Sequence, residues 1–220
     1  MTAGAGTLSV RTRPPARRVR TVILGTVALA LAALGASACG SGSSGLSQQF
    51  TDAVGVMQEA GSYSFIASIA TGTSTTPSIS VSGDFQAPNR VAQTVARAGA
   101  TPVAMVLDGG SVHVKDPASG AWTTQPSTTT ATVDLRQAFA ALAGADDVTL
   151  EGSTATFTVS GDAAKQLAGA DVDGKATVSI TLGPVGLSRL AYRATVGGQQ
   201  VTVMIDYSNV GTAPAITVPT

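Results

Sequence analysis

The sequence predicts an α+β domain built on one large antiparallel sheet, and three observations lead to this class. Apolar and polar residues alternate with a period of two through most of the chain after residue 61, which is the pattern of half-buried strands. Glycine-rich turns, as at Asp108-Gly109-Gly110 and Gly197-Gly198, separate neighbouring segments and predict hairpins. Helical periodicity occurs in only three stretches along this series of strands, which favours an α+β arrangement.

The three predicted helices are recognised by their apolar spacing and their end residues. A one-sided apolar stripe over residues 46–57 predicts the first helix, which ends at Gly61. Apolar residues at i, i+3, i+4 and i+7 over residues 135–142 predict the second, with Thr132 as its N-cap and Gly144 at its end. A third, short helix is predicted over residues 163–168, with Asp162 as its cap.

The small number of helices bears on whether the domain contains a cavity. Three such helices cannot cover a sheet of about ten strands, each about 17–20 Å long. Either the sheet folds on itself into a sandwich or a closed barrel, which requires no cavity, or an open sheet leaves an apolar groove that suits a ligand. Strand alternation and the second helix predict the lining of such a groove: Tyr63, Phe65, Ile69, Ile79, Val81, Phe85, Val103, Met105, Leu107, Phe139, Phe157 and Ile180.

Residues 1–38 have the features of a secretory signal peptide. Five arginines lie between Arg11 and Arg20, an uncharged apolar run follows from residue 21, and small residues end it. A transmembrane anchor is the alternative, but it needs about 20 apolar residues, and this run ends in Gly, Ala and Ser. We therefore predict a signal peptide over residues 1–38, a Gly/Ser tether over residues 39–45 and one domain over residues 46–220.

The single cysteine, Cys39, lies where the signal peptide meets the tether. The segment ASAC that ends at this residue resembles a bacterial lipobox, in which the cysteine receives lipid and becomes the mature N-terminus. No second cysteine exists for a disulfide, and a Gly/Ser tract cannot build a core around a buried thiol. The resemblance implies lipid attachment at Cys39 through a diacylglyceryl group, which would hold the protein at the extracytoplasmic face of the cell membrane.

The distribution of charge argues against nucleic acid as a partner. The chain has 13 basic and 13 acidic residues, and five of the basic residues precede Cys39 whereas all the acidic residues follow it. The mature part therefore has a net charge of −5. A mildly acidic domain is not expected to bind nucleic acid or to depend on anionic lipid headgroups.

Catalytic and metal-binding motifs are absent from the sequence. His113 is the only histidine, and strand alternation predicts an exposed side chain opposite Val112 and Val114. One histidine and one cysteine do not make a zinc site, and no Gly-x-Ser-x-Gly motif accompanies His113. The adjacent Asp146 and Asp147 are expected to be solvated in a loop. We predict that the protein is not an enzyme and uses no metal or cofactor.

Two stretches, LDGGSVHVKDPASGAW and VTVMIDYSNVGTAPAITVP, together with the order of elements, resemble actinobacterial lipoproteins of the LppX/LprG type. Those proteins share the half-barrel of the LolA and LolB lipoprotein carriers, and the resemblance extends over residues 46–219. It implies a half-barrel, which is a single curved antiparallel sheet with a few helices on its concave side.

The same resemblance implies a function. A protein of this type would bind an acylated lipid or glycolipid in an apolar cavity and shuttle it across the cell envelope, with a membrane transporter as a further expected partner. The alternative from the residues themselves is a cell-surface interaction or assembly lipoprotein with a closed β-sandwich and no ligand cavity.

Overall fold

The computed structural model describes residues 47–74, 76–126, 135–168 and 170–219, which form 11 strands and three short helices. The strands are β1 (Ser62–Thr71), β2 (Ile79–Gln86), β3 (Arg90–Arg97), β4 (Val103–Asp108), β5 (Ser111–Lys115), β6 (Trp122–Pro126), β7 (Asp146–Glu151), β8 (Thr154–Ser160), β9 (Lys175–Leu182), β10 (Leu187–Val196) and β11 (Gln199–Ser208). All belong to one sheet in the order β6-β5-β4-β3-β2-β1-β11-β10-β9-β8-β7, and the neighbouring strands pair antiparallel.

The sheet consists of two meanders that meet in its middle. From β1 the chain runs outward to β6 at one edge, crosses to β7 at the opposite edge, and returns strand by strand to β11, which pairs with β1. The two edge strands, β6 and β7, do not pair with each other, so the sheet is unclosed. The predicted class, α+β with a single curved antiparallel sheet, is confirmed, and the described residues do not form the closed sandwich of the alternative.

The helices lie where the sequence predicts them, although the second is shorter and the third begins at Gly161, so that Asp162 lies within its first turn rather than at its cap. α1 covers Gln48–Glu59 and α3 covers Gly161–Ala168, whereas α2 is one turn, Gln137–Ala140, that continues into a 3₁₀ turn, Ala141–Gly144. Thr132, the predicted N-cap, lies outside the described residues. Within the described ranges, no helix has the length and apolar character needed to cross a bilayer.

The helices pack on one face of the sheet, which we call the helix-bearing face. α1 packs on β10, and α3 packs on β8 and β9. The strands point alternate side chains into this contact, so that Phe157, Val178 and Leu190 are at most 1 % exposed. Burial of these side chains removes apolar surface from water and stabilises each by about 1.5–3 kcal/mol relative to exposure.

A close approach of two strands explains why position 83 is glycine. Gly83 in β2 lies opposite Gln93 of β3, and a Cβ at this position would overlap the carbonyl oxygen of Ala92 and lie 2.9 Å from the Cα of Gln93. These contacts are with backbone atoms, which cannot move aside without disturbing the ladder between the two strands. Any larger residue at position 83 therefore separates β2 from β3.

Gly83→Ala is expected to lower the free energy of unfolding by about 1–3 kcal/mol, the usual cost of overpacking. Gly55 is the matched control, because it lies within α1 and a Cβ there would meet nothing within 4 Å. Gly55→Ala should raise stability by about 0.5–1 kcal/mol, since alanine is the better helix former. Urea unfolding of both variants measures the two effects. Equal stabilities of the two variants would contradict the backbone-contact explanation.

Candidate functional site

The candidate site is an apolar strip on the helix-bearing face of strands β1 to β4. In register, Ile69 lies opposite Ile79, and Val81 lies opposite Val95, which in turn lies opposite Val103. These five residues define the apolar strip. Four of them are partly exposed, and Val81 is 9 % exposed. The helices pack chiefly over β8 to β10, so the strip lies beside them and leaves apolar surface accessible.

The other face of the same strands is polar. Ser68, Ser80 and Thr94 alternate with the residues of the apolar strip and therefore point away from it. On this face an ion pair joins Arg90 of β3 to Asp108 of β4, with 2.8 Å between Nε and Oδ1. A second ion pair on the same face of the sheet joins Arg189 of β10 to Asp206 of β11, with 2.6 Å between Nε and Oδ1. Ile66 of β1, however, is 55 % exposed on this second face, so β1 to β4 carry accessible apolar surface on both sides of the sheet.

The 12 residues predicted to line a cavity fall into two groups. Six are packed interior with at most 8 % exposure, namely Tyr63, Phe65, Phe85, Phe139, Phe157 and Ile180. The other six belong to the less covered strands or the sheet centre, namely Ile69, Ile79, Val81, Val103, Met105 and Leu107, and all but Val81 and Met105 are partly exposed. The structure therefore leaves four of the second group, Ile69, Ile79, Val103 and Leu107, partly accessible, while Val81 and Met105 are nearly as buried as the first group, which forms the core beneath the helices.

Two further residues of this face, Val95 and Tyr192, are not among the predicted lining residues. Val95 occupies the middle of the apolar strip, between Val81 and Val103. Its position follows from the alternation in RVAQTVAR, which was available in the sequence. Tyr192 lies on β10 opposite Val203, and Val203 lies opposite Ile69 of the strip. That connection depends on the pairing of β1 with β11, which the sequence does not reveal.

Two tyrosines place hydroxyl groups in this apolar interior. Tyr192 is 7 % exposed. Tyr207 is partly exposed as a whole residue, but its ring packs edge-on against Tyr63, with centroids 5.5 Å apart, and lies 5.6 Å from Phe139. In the described part of the chain, neither the Tyr192 nor the Tyr207 hydroxyl forms a hydrogen bond. A buried hydroxyl without a partner is costly, so the two groups stand out from the apolar surroundings.

Burial governs the ionisation of both phenols. It raises the pKa of Tyr192 to about 12, because the interior disfavours the charged phenolate. Burial also raises the pKa of Tyr207 far above its ordinary value, and the negative charge of an ionised Tyr192 raises it further. Both side chains are therefore neutral hydrogen-bond donors at neutral pH.

Raising the pH above 10 is expected to destabilise the fold through Tyr192. The ordinary pKa of the phenol is 10.0 and the folded value is about 12, so between these values the unfolded chain has released a proton that the folded chain retains. The free energy of unfolding should therefore fall across this range by about 2–3 kcal/mol. Urea unfolding at a series of pH values measures the fall, and Tyr192→Phe should reduce its slope. An unchanged slope in the variant would contradict this assignment.

The structure contradicts the prediction that the side chain of His113 is exposed. Alternation does point it away from Val112 and Val114, but it is only 7 % exposed, and its Nδ1 lies 3.0 Å from Oγ1 of Thr124. It lies opposite Val106, which is 5 % exposed, so this part of the second face is itself covered. The prediction was wrong because it treated the face opposite the core as solvent along its whole length.

Two depressions lie mainly on the face opposite the helices. The larger, of about 550 Å³, crosses β1 to β4 and is bordered by Ile66, Asp84 and Trp122. The smaller, of about 220 Å³, lies over β9 to β11. Apart from Phe65 at the larger one, none of the predicted cavity residues lines either depression.

Asp146 and Asp147 are also placed by the structure. Both are exposed, as expected, but they begin β7 rather than belong to a loop, and Asp147 adopts a positive φ of 55°. Across the described residues, no group of three His, Cys, Asp or Glu side chains is positioned to hold a metal ion.

No protein-family model matches the chain, and no curated protein matches it. Among solved structures, it is similar to the lipoprotein LppX of Mycobacterium tuberculosis, with 15 % identity and a TM-score of 0.48, over 77 % of this chain and 95 % of that one. It is also similar to a LolA-superfamily protein of Nitrosomonas europaea, with 8 % identity and a TM-score of 0.36, over 76 % and 95 % of the two chains. Both are of the types that the sequence resembles.

Proposed function

We propose that the protein is a membrane-anchored lipoprotein that binds an acylated lipid or glycolipid on its helix-bearing face and carries it across the aqueous gap of the cell envelope. The observation that supports this proposal is the apolar strip, a run of aliphatic side chains that an unclosed sheet leaves beside its helices. In this proposal the protein is a carrier rather than an enzyme. Exchange takes place with the membrane or with a membrane transporter.

The chemistry of the strip suits an acyl chain. Its five members, Ile and Val, carry no charge and no hydrogen-bonding side-chain atom. Four strands span about 14 Å at the usual spacing between strands, which gives a continuous apolar floor from β1 to β4. Each CH₂ group of an acyl chain that leaves water for such a surface contributes about 0.8 kcal/mol. A chain that buries several such groups binds without any specific polar contact.

In this proposal, the remaining predicted lining residues form the wall of the same site. Met105 and Leu107 continue β4 beyond Val103, and Leu107 leads through Val91 to Phe85 and Tyr63 in the same row of the sheet. With Phe65 and Phe139, these two rings form the aromatic cluster. In this proposal the helices cover the ligand after it enters beside them. Phe157 and Ile180 lie deeper, beneath α3, and support this cover rather than touch the ligand first.

Native mass spectrometry of the purified mature domain tests the proposed function. A carrier should retain lipid from its host, visible as a mass increment that disappears after organic extraction. The extracted protein should then bind a fluorescent fatty-acyl probe with saturation. A domain that carries no lipid and binds no such probe would overturn the proposal.

Cys39→Ser is expected to leave an unprocessed precursor and to release any processed product from the membrane. The reason is that the proposed anchor is attached to the thiol of Cys39, which lies outside the described residues. Fractionation of cells followed by mass determination of the protein measures both effects. Ser37→Ala is the matched control and should leave processing and retention unchanged. A cleaved, membrane-retained Cys39→Ser protein would refute lipid attachment at this site.

A further inference from the structure

We infer that the hydroxyl groups of Tyr192 and Tyr207 bind a neutral hydrogen-bond acceptor of the ligand, an ester or amide carbonyl, at the inner end of the apolar strip. This inference rests on the proposed function and adds to it the chemical class of the ligand's polar group. It is carried by two phenol groups that lie in an apolar interior without a hydrogen-bond partner in the described chain.

The two tyrosines adjoin the apolar strip through the centre of the sheet. Tyr192 lies opposite Val203, which lies opposite Ile69, so these three side chains form one row across β10, β11 and β1. Tyr207 lies on β11 opposite Phe65, on the same face and four residues along the strand from Val203. An acyl chain on the strip would therefore end beside them.

The unpaired hydroxyls carry a free-energy cost that a ligand can remove. Leaving a buried donor unsatisfied costs about 1–3 kcal/mol. A phenylalanine at either position would fill the same volume without this cost, yet the chain has tyrosine at both. A carbonyl oxygen beside either phenol would accept a hydrogen bond from it and satisfy that donor.

The same chemistry favours a neutral acceptor over an anion. Both phenols remain protonated at neutral pH and so donate hydrogen bonds without supplying positive charge. Around Tyr192 the neighbours in register are Val178 and Val203, which cannot neutralise a carboxylate or phosphate. On the side of Tyr207, the guanidinium of Arg136 lies over the Phe85 ring, from which the Tyr63 ring separates Tyr207. A buried anion without a cation costs far more than a buried carbonyl. The charged or sugar headgroup of the ligand would then remain outside the site, and the ester or amide group beside the acyl chain would reach the tyrosines.

The test compares two probes of equal chain length, a pyrene-labelled fatty-acid methyl ester and the corresponding pyrene-labelled alkane. Binding of each is measured by fluorescence titration of the delipidated domain and of Tyr192→Phe, Tyr207→Phe and the double variant. We expect each single variant to weaken ester binding about 3- to 10-fold, the loss of one hydrogen bond. Alkane binding should stay within about twofold, because it makes no hydrogen bond.

Thermal unfolding of the ligand-free variants separates this role from a structural one. Removing an unpaired hydroxyl should leave the midpoint unchanged or higher, whereas removing a hydroxyl that stabilises the fold would lower it. A free pyrene-labelled fatty acid serves as the third probe. Tighter binding of its carboxylate than of the ester, with the same dependence on the tyrosines, would overturn the preference for a neutral acceptor.

The outcomes distinguish this inference from the proposed function. The two probes can bind with equal affinity, and the Phe variants can leave both affinities unchanged. This result would overturn the inference about the tyrosines but would leave the proposed apolar binding intact. If Val81→Trp does not lower the affinity for either probe, the probes bind elsewhere and the inference is overturned. If the domain binds no probe, the proposed function fails and the inference fails with it.

Discussion

Val81→Trp is expected to reduce the affinity for an acyl probe more than 100-fold. Val81 lies at the middle of the apolar strip, between Ala67 and Val95, and its side chain points to the helix-bearing face. An indole there occupies the space of several CH₂ groups of the ligand, and the loss of four of them corresponds to about 3 kcal/mol. Fluorescence titration with a fatty-acyl probe measures the loss.

The neighbouring residue provides the control for this prediction. Ser82 is exposed on the opposite face of β2, so Ser82→Trp adds the same side chain without entering the strip. It should leave acyl binding within about twofold, although it borders the larger depression. Val81→Trp itself should cost about 1–3 kcal/mol of stability through overpacking, so a thermal melt must show that it is folded. Normal binding by a folded Val81→Trp protein would show that the strip is not the ligand site.

Phe139→Ala is expected to lower the free energy of unfolding by about 3–5 kcal/mol, the largest stability effect of those considered. Phe139 is 0 % exposed and is the large side chain that α2 contributes to the aromatic cluster. Its ring centroid lies 5.6 Å from that of Tyr207 and 6.3 Å from that of Tyr63. Truncation leaves a cavity in this cluster and detaches the one-turn helix from the sheet. Urea unfolding followed by far-UV circular dichroism measures the change.

Val185 is the matched control for Phe139, because it is a large apolar residue that is 54 % exposed in the loop between β9 and β10. Val185→Ala should change the free energy of unfolding by less than about 0.5 kcal/mol. Losses of similar size at the two positions would show that α2 is not held by burial of its aromatic ring.

The local elements of this fold could be predicted because each depends on residues close in sequence. The alternation in β2 places Val81 and Phe85 on the buried side, as observed. Gly197 and Gly198 were predicted as a turn, and both adopt positive φ values, 55° and 75°, which glycine reaches without strain. The Asp-Gly-Gly turn at Gly109 follows the same rule, with a φ of 59°.

The features that could not be predicted depend on residues far apart in the chain. The environment of His113 is set by its neighbours across the sheet, Val106 and Thr124, which alternation within one strand does not encode. The pattern of residues also left both a closed sandwich and an open sheet available, and only the resemblance favoured the open half-barrel. Only the strand order, with β6 and β7 as separate edges, decides between them. The position of Tyr192 beside the apolar strip follows from the same long-range pairing.

The pairing of β1 with β11 has a consequence for how the chain folds. Every other strand pair in the sheet joins strands that are consecutive along the chain, whereas this one joins Ser64 to Ser208. Closing a loop of this length costs about 4 kcal/mol more in chain entropy than closing a two-residue hairpin, because the cost grows by about 0.6 kcal/mol for each doubling. The two meanders can each form from local contacts, and this seam, together with the packing of α1 on β10, then unites them. The cooperativity of the whole domain therefore depends on long-range contacts at its centre, where the apolar strip and the two tyrosines also lie.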